Sequence, residues 1–372
     1  MKIKTITCHD VYNSGASLQA YALMKYLQEL KHDVEIIDYK PEYLNNHYKL
    51  LKIGNKKYEK NFIYQILYIT IKLPGRILSL KTKKKYDDFK RNYLNITNMR
   101  YTSNEDLKKN LPIADTYIAG SDQIWNTMFK NGKDPAFYLD FAPDEKNKLS
   151  YAASFALDSI PKEFIENTKK MLNHLDNISV RETSGLNILE SMNIKGGIQV
   201  LDPVFLLNKS NWENLCANLN VNVKYIFVYD FDKNVLIEKI ANYIAKEKKL
   251  KIYTVFNSEY SDKYLRNMGP QEFITYIKNA EYIVSNSFHA TAFSIIFEKN
   301  FYVINRKEEI NARMRDLLTL LGIEDRLLNE DYFERNLNDC INYKPVLNKL
   351  KVHIGKSKEY LDCVLRSKKL ND

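Results

Sequence analysis

Residues 2–39 read KIKTITCHDVYNSGASLQAYALMKYLQELKHDVEIIDY, and this stretch decides the fold class. Lys2–Cys8 has the length and apolar content of a buried strand, and His9–Ser14 is a polar loop. Gly15 opens a helix running to about Lys31, with Leu18, Ala22, Leu23, Tyr26, Leu27 and Leu30 at helical spacing. Val34–Tyr39 is strand-like again. A strand, a loop, a helix and a second strand in such close succession begin a doubly wound parallel sheet.

The same alternation continues along the chain. Strands are predicted at Thr116–Ala119, Leu149–Ser154, Ile178–Val180 and Ile198–Leu201, with a helix over residues 185–192. A second series follows, with strands at Tyr225–Tyr229, Lys251–Val255, Tyr282–Ser285 and Phe301–Ile304. Helices at Val235–Lys246, Gln271–Lys278 and Ala290–Glu298 separate them. Short connections between alternating elements imply parallel sheets in both halves. The expected architecture is α/β, two Rossmann-like domains facing a cleft, the arrangement called GT-B. The domains are expected at 1–207, with a basic insertion at about 45–100, and at 208–344. A helical segment from Pro345 to Leu370, within 345–372, is expected to pack back on the first domain.

Bulk properties narrow the function. The four cysteines, Cys8, Cys216, Cys340 and Cys363, form no CxxC pair, which disfavours a zinc site or a disulfide framework. No window reaches about 18 uninterrupted apolar residues, so no membrane span is expected, and the opening strand is unlike a signal core. The expected location is the cytoplasm. Of the net charge of +10, the stretch Lys49–Arg91 carries 13 Lys/Arg against 3 Asp/Glu, an excess equal to that of the whole chain. The same stretch holds the apolar run Phe62, Ile63, Ile66, Leu67, Tyr68, Ile69 and Ile71. Cations beside an apolar run suit an anionic membrane surface, here the inner face of the plasma membrane. A solvated basic helix is the plainer alternative. No helix-turn-helix or RNP pattern appears, so nucleic acid is not an expected partner.

Four polar clusters sit where strands end, the place at which open α/β sheets bind ligands. In the first, Asn13, Ser14 and Gly15 open a helix, so free backbone N–H groups face an anion or a sugar hydroxyl. An ordinary capped helix start explains the same residues. In the second, Ser121, Asp122, Gln123, Trp125 and Asn126 follow Gly120; the ring can stack on a sugar and the polar groups can bind its hydroxyls. A polar turn with a tryptophan plugging the core is the alternative. In the third, Arg181 offers a five-donor fork for a carboxylate or phosphate, unless it pairs with adjacent Glu182 at the surface. In the fourth, Ser285, Asn286 and Ser287 precede His289 at a helix start, a phosphate-binding pattern with a general acid beside it. Arg313 and Arg315 lie downstream.

These clusters, in this order, resemble the polysaccharide pyruvyl transferase family. The resemblance rests on NSGASLQAYAL from Asn13, GSDQIWN from Gly120, SYAASFA from Ser150, SVRETSGLNIL from Ser179, VLDPVFLL from Val200 and GPQEFITYIKNAEYIVSNSFHATAFSIIF from Gly269. It runs from the N-terminus to about Leu328, and two positions depart from it: Ala290 and Ala156 stand where glycine is common. The resemblance implies phosphoenolpyruvate as donor and a sugar or lipid-linked glycan as acceptor. Arg181, Ser285, Asn286, Ser287 and Arg313 are then donor-binding candidates, and Asn13, Gly15, Ser121, Gln123, Trp125 and Asn126 acceptor-binding candidates. His289 is the candidate acid and Asp122 the candidate base. Phosphoenolpyruvate enters as co-substrate; no other cofactor and no metal is called for, since no carboxylate cluster has ligand spacing. The competing reading is a nucleotide-sugar glycosyltransferase on the same fold, with Glu272 or Glu281 holding a ribose.

Overall fold

Short runs rich in Ile, Val and Tyr become strands because both faces of each sheet are covered. The computed structural model describes residues 1–44, 58, 61–306, 311–329, 337 and 340–366. In the first half, β1 (Lys2–Ile6), β2 (Asp33–Tyr39), β3 (Ile96–Tyr101), β4 (Thr116–Ala119) and β5 (Asn147–Ser150) form one sheet in the order β3-β2-β1-β4-β5. Every pairing is parallel. A short parallel pair, β6 (Ser179–Val180) and β7 (Ile198–Gln199), extends this layer through the bridges Leu149–Asn177 and Ala153–Val180. Helices α1 (Ser14–Glu29), α2 (Phe62–Tyr93), α3 (Asn104–Lys109), α4 (Lys162–Leu172) and α5 (Thr183–Ser191) belong to this half.

The second half holds β8 (Tyr225–Tyr229), β9 (Lys251–Thr254), β10 (Lys263–Tyr264), β11 (Tyr282–Ser285), β12 (Asn300–Ile304) and β13 (Leu327–Leu328). They run in the order β10-β9-β8-β11-β12-β13, again all parallel. Its helices are α6 (Lys209–Leu215), α7 (Val235–Lys248), α8 (Pro270–Asn279), α9 (Phe288–Ile296) and α10 (Ala312–Leu321). The two Rossmann-like sheets predicted from the sequence are present. One apolar core joins them: Ile3, Leu23 and Tyr151 belong to the same buried cluster as Tyr225, Phe273 and Phe293. Trp212 plugs it, its indole N–H donating to the Val204 carbonyl at 3.1 Å.

One boundary differs from expectation. The basic region does not extend to about residue 100, because Ile96–Tyr101 is the edge strand of the first sheet. An edge strand buries little, and its middle residues are exposed, so no apolar run marks it. Residues 45–57 and 59–60 of that region lie outside those described. The last helix, α11 (Tyr343–Arg366), crosses onto the first half. Ser357 Oγ accepts the Leu201 N–H at 2.9 Å, and Tyr360 donates to the Ser150 carbonyl at 2.9 Å. Its predicted end, residues 367–370, is also outside the described set.

Strand order fixes the place for a ligand. In the first sheet the direction of winding reverses between β1 and β4; in the second it reverses between β8 and β11. Ligands of open α/β sheets bind beyond the strand ends at such a reversal.

Candidate functional site

The segments that leave these two switch points converge. Asn13 follows β1, Asp122 and Gln123 follow β4, Phe231 follows β8, and Asn286, Ser287 and His289 follow β11. With Arg306, Arg313 and Met314 they line a polar cleft of about 80 Å3. Phe288 and Arg313 form a wall shared with a second cavity of about 160 Å3, lined also by Arg181, Asp202, Asp316, His353 and Lys356.

Between cleft and cavity lies a buried ionic cluster. Arg181, 2 % exposed, pairs with Asp202 through one guanidinium nitrogen and with Asp122 at 3.3 Å through another. Arg313, from α10 in the other half, reaches the same Asp122 oxygen at 3.3 Å. His289 Nε2 stands 3.6 Å from the Asp202 carboxylate. Burial pushes the Asp122 carboxyl up, but Arg181, His289 and Arg313 outweigh it and hold it below the usual carboxylate range. Asp202 follows the same logic: burial raises it, and Arg181 and His289 hold it well below that range. Burial, with the Arg181 cation beside it, lowers Arg313 to about 10, so it is still charged at neutral pH.

Local structure explains the placement. Asp122 holds a left-handed φ of 72°, which aspartate tolerates, and its carbonyl accepts the N–H groups of Ile124 and Ser154. Ser287 caps α9 by accepting the Ala290 N–H, so His289 sits in the first helical turn. The imidazole packs directly on α1. A Cβ built on Gly15 would lie 2.1 Å from His289 Nδ1. Gly15 therefore admits the histidine ring, not a ligand as its strand-end position suggests.

Other predicted residues have structural duties. Trp125 is fully buried, stacks on Tyr138 with ring centroids 5.5 Å apart, and donates its indole N–H to the Phe137 carbonyl; no sugar reaches it. Ser121 is buried, and its hydroxyl donates to Ala152 at 2.6 Å. Asn126 is buried and donates to the Gln123 side chain at 3.0 Å. Ser285 donates to the Tyr229 carbonyl at 2.6 Å and accepts the Ser287 N–H. Asn13 lines the cleft while capping α1 through the Ala16 N–H. Asn286 accepts the Phe231 N–H and donates to Asp230, locking the loop after β8 while also lining the cleft. Arg181 lines the larger cavity and is not among the cleft residues.

Glu182 is not a surface partner of Arg181. It is buried, and one oxygen accepts from Ser154 Oγ, Phe155 N–H and Ala156 N–H at 2.9–3.0 Å, while burial raises its carboxyl. Ala156 meets it with a φ of 56°, the left-handed region that glycine occupies without strain. Ala290 is wholly buried in the first turn of α9.

Sequence reasoning missed Asp202 and Arg306. Arg306 stacks over the Phe231 ring at 4.8 Å beside Asp232, at 3.6 Å. Both residues follow an apolar strand-like run, the criterion that singled out the four clusters, and could have been found by it. Neither glutamate proposed for a ribose faces the cleft. Glu272 pairs with Lys85 and accepts the Gly269 N–H, and Glu281 precedes β11 at the opposite end of the sheet, beside Lys224.

The family model described as polysaccharide pyruvyl transferase matches residues 13–308. A search of curated proteins finds none that matches. Among solved structures, the Methanocaldococcus jannaschii UDP-GlcNAc 2-epimerase in complex with UDP-GlcNAc and UDP is similar over 98 % of this chain and 99 % of its own, at 14 % identity and a TM-score of 0.51. The Rickettsia bellii UDP-N-acetylglucosamine 2-epimerase covers 99 % of this chain and 98 % of its own at 13 % identity and a TM-score of 0.49. E. coli heptosyltransferase WaaC with ADP-2-deoxy-2-fluoro heptose covers 82 % and 88 % at 8 % identity and a TM-score of 0.38. At such identity the first of these shows the fold alone, two Rossmann-like sheets in the GT-B manner.

Proposed function

Because the chain belongs to the polysaccharide pyruvyl transferase family, we propose that it moves pyruvate from phosphoenolpyruvate onto two hydroxyls of a sugar, forming a ketal. The observation that carries this reading is the polar cleft between the switch points. It brings Arg306, Arg313, Ser287 and the start of α9 around His289. Phosphoenolpyruvate carries a phosphate and a carboxylate, and these cations and N–H groups suit both.

The residues then divide the work. His289 gives a proton to the enol carbon, which makes the adjacent carbon electrophilic. One acceptor hydroxyl attacks that carbon and yields its proton to Asp122. The bond between that carbon and the phosphate oxygen breaks, phosphate leaves with the proton that Asp122 accepted, and the second hydroxyl closes the ketal, giving its proton back to His289. General acid–base groups contribute about 10²–10⁴-fold. Asp122, held below the usual carboxylate range, is a weak base and stands at the low end of that range. Arg181 and Asp202 position Asp122 and His289 from behind.

The acceptor is a polysaccharide precursor, lipid-linked, at an anionic membrane on the cytoplasmic side. The support is α2, whose exposed apolar residues, Phe62 to Leu78, are followed by the lysines at 81 and 83–85. No helix among the described residues is long and apolar enough to cross a membrane.

A thermal-shift series tests the donor. A ligand held only by the folded state raises stability, so phosphoenolpyruvate raises the melting temperature, Arg313→Ala loses most of that rise, and incubation with acceptor releases phosphate. A shift by nucleotide sugars with none by phosphoenolpyruvate overturns the reading.

A further inference from the structure

The helix α2 divides into two unlike parts. Its first part exposes Phe62, Tyr64, Ile66, Leu67, Ile71 and Ile77, each at least 51 % accessible. Apolar positions recur at 62, 66, 69, 73 and 77 and at 64, 67, 71 and 78, so they cover well over half of the helix circumference, and Lys72 and Arg76 fall in the remaining sector. Between residues 61 and 86 there are six Lys/Arg and no Asp or Glu. Exposed apolar surface on this scale marks an interaction site. Two copies of this segment would bring like charges together, which disfavours self-association. An anionic lipid surface complements both the charge and the apolar side.

The second part of α2 is fastened to the active-site loop. Tyr86 exchanges a hydrogen bond with Ser14 at 2.8 Å, and Tyr12 donates to Asp87 at 3.3 Å. Lys90 pairs with Asp10 at 2.8 Å. The residue between these anchors, Asn13, lines the cleft. The same part also grips the second half of the molecule: Lys85 pairs with Glu272, and Tyr93 accepts from Gln271 at 3.1 Å. Two of the lysines that the sequence suggests for lipid, Lys83 and Lys85, are thus engaged internally, by Asp87 and Glu272, while Lys81 and Lys84 are exposed.

We infer that α2 couples the membrane to catalysis: anionic lipid binds its first part, and the restrained helix steadies the Asp10–Ser14 loop beside His289. This rests on the proposed membrane location of the acceptor. It goes further in making the lipid surface an activator of the site as well as the place where the acceptor waits.

The test uses the full chain with phosphatidylcholine vesicles, with and without phosphatidylglycerol. Hydrogen exchange of the 10–14 amides and co-sedimentation are read together. Expected is co-sedimentation only with the anionic vesicles, reversed by salt, with exchange of those amides slowed about tenfold. Replacing Lys72, Arg76, Lys81 and Lys84 by Gln lowers vesicle partitioning by roughly two to three orders of magnitude. Tyr86→Phe keeps the partitioning and loses the slowing. Binding without slowed exchange overturns the coupling. Absence of binding overturns the lipid surface, and concentration-dependent association that Ile66→Gln and Ile71→Gln abolish assigns the face to a second copy instead. No arm contains phosphoenolpyruvate, so a wrong donor leaves the outcome untouched.

Discussion

Gly15→Ala is the sharpest probe of the site, because one methyl group strikes the proposed acid without touching a ligand. The new Cβ would lie 2.1 Å from Nδ1 and 2.3 Å from Cγ of His289. Carbon and nitrogen atoms not bonded to each other rest at about 3.5 Å, so the ring has to retreat by more than about 1 Å, and by about 1.4 Å at Nδ1. Misplacing a catalytic group by that distance costs about 10²-fold in turnover. Overpacking also destabilises, by about 1–3 kcal/mol. Yet Gly15 lies within α1, where alanine is intrinsically better by about 1 kcal/mol. The sign of the effect therefore depends on the partner. With His289 present, Gly15→Ala destabilises; in a His289→Ala background the clash is gone and the same change stabilises by up to about 1 kcal/mol. Urea unfolding of the four proteins, with phosphate release from phosphoenolpyruvate for the two that keep His289, completes the cycle. If Gly15→Ala turns over within twofold of the parent, or if its stability effect is the same in both backgrounds, the His289 placement is wrong.

Other substitutions separate chemistry from support. His289→Ala lowers kcat by about 10²–10⁴-fold with little change in donor affinity, read by steady-state kinetics and a thermal shift. Trp125→Ala costs about 3–5 kcal/mol in denaturant unfolding; a sugar platform would instead lose acceptor affinity at unchanged stability. Asp122 and Asp202 have folded pKa values below their unfolded ones, so their stabilisation is present above about pH 4 and lost as pH falls through the folded values. Asp202→Asn flattens that acid limb in a pH series and costs about 3–5 kcal/mol at neutral pH, since Arg181 is left buried without its main partner. Ala156→Gly removes a left-handed strain of about 1–2 kcal/mol; part of the gain is offset by greater unfolded-state freedom, and a net rise of about 0.5–1 kcal/mol in unfolding free energy is expected.

The α/β class was legible because period and length are local properties. Alternating runs such as Tyr225–Tyr229 and Val235–Lys248 announce strand and helix from their own side chains. So were the four strand-end clusters, since polar residues crowded after an apolar run need no partner to be noticed. Local pattern failed where the outcome depends on what lies opposite. Ile96–Tyr101 shows no apolar run because only one neighbour, β2, pairs with it. Trp125 and Gln123 look alike in sequence as candidates, yet one faces Tyr138 in the core and the other the cleft. Gly15 and His289 stand far apart along the chain and touch only because both sheets present their switch points to the same space. Strand order sets where those reversals fall, and a sequence read one segment at a time carries no record of which strand lies beside which. The pairing of Arg181 with Asp202, and of Arg313 with Asp122 across the two halves, follows from the same packing, because a buried charge must find its counter-charge wherever the fold brings one.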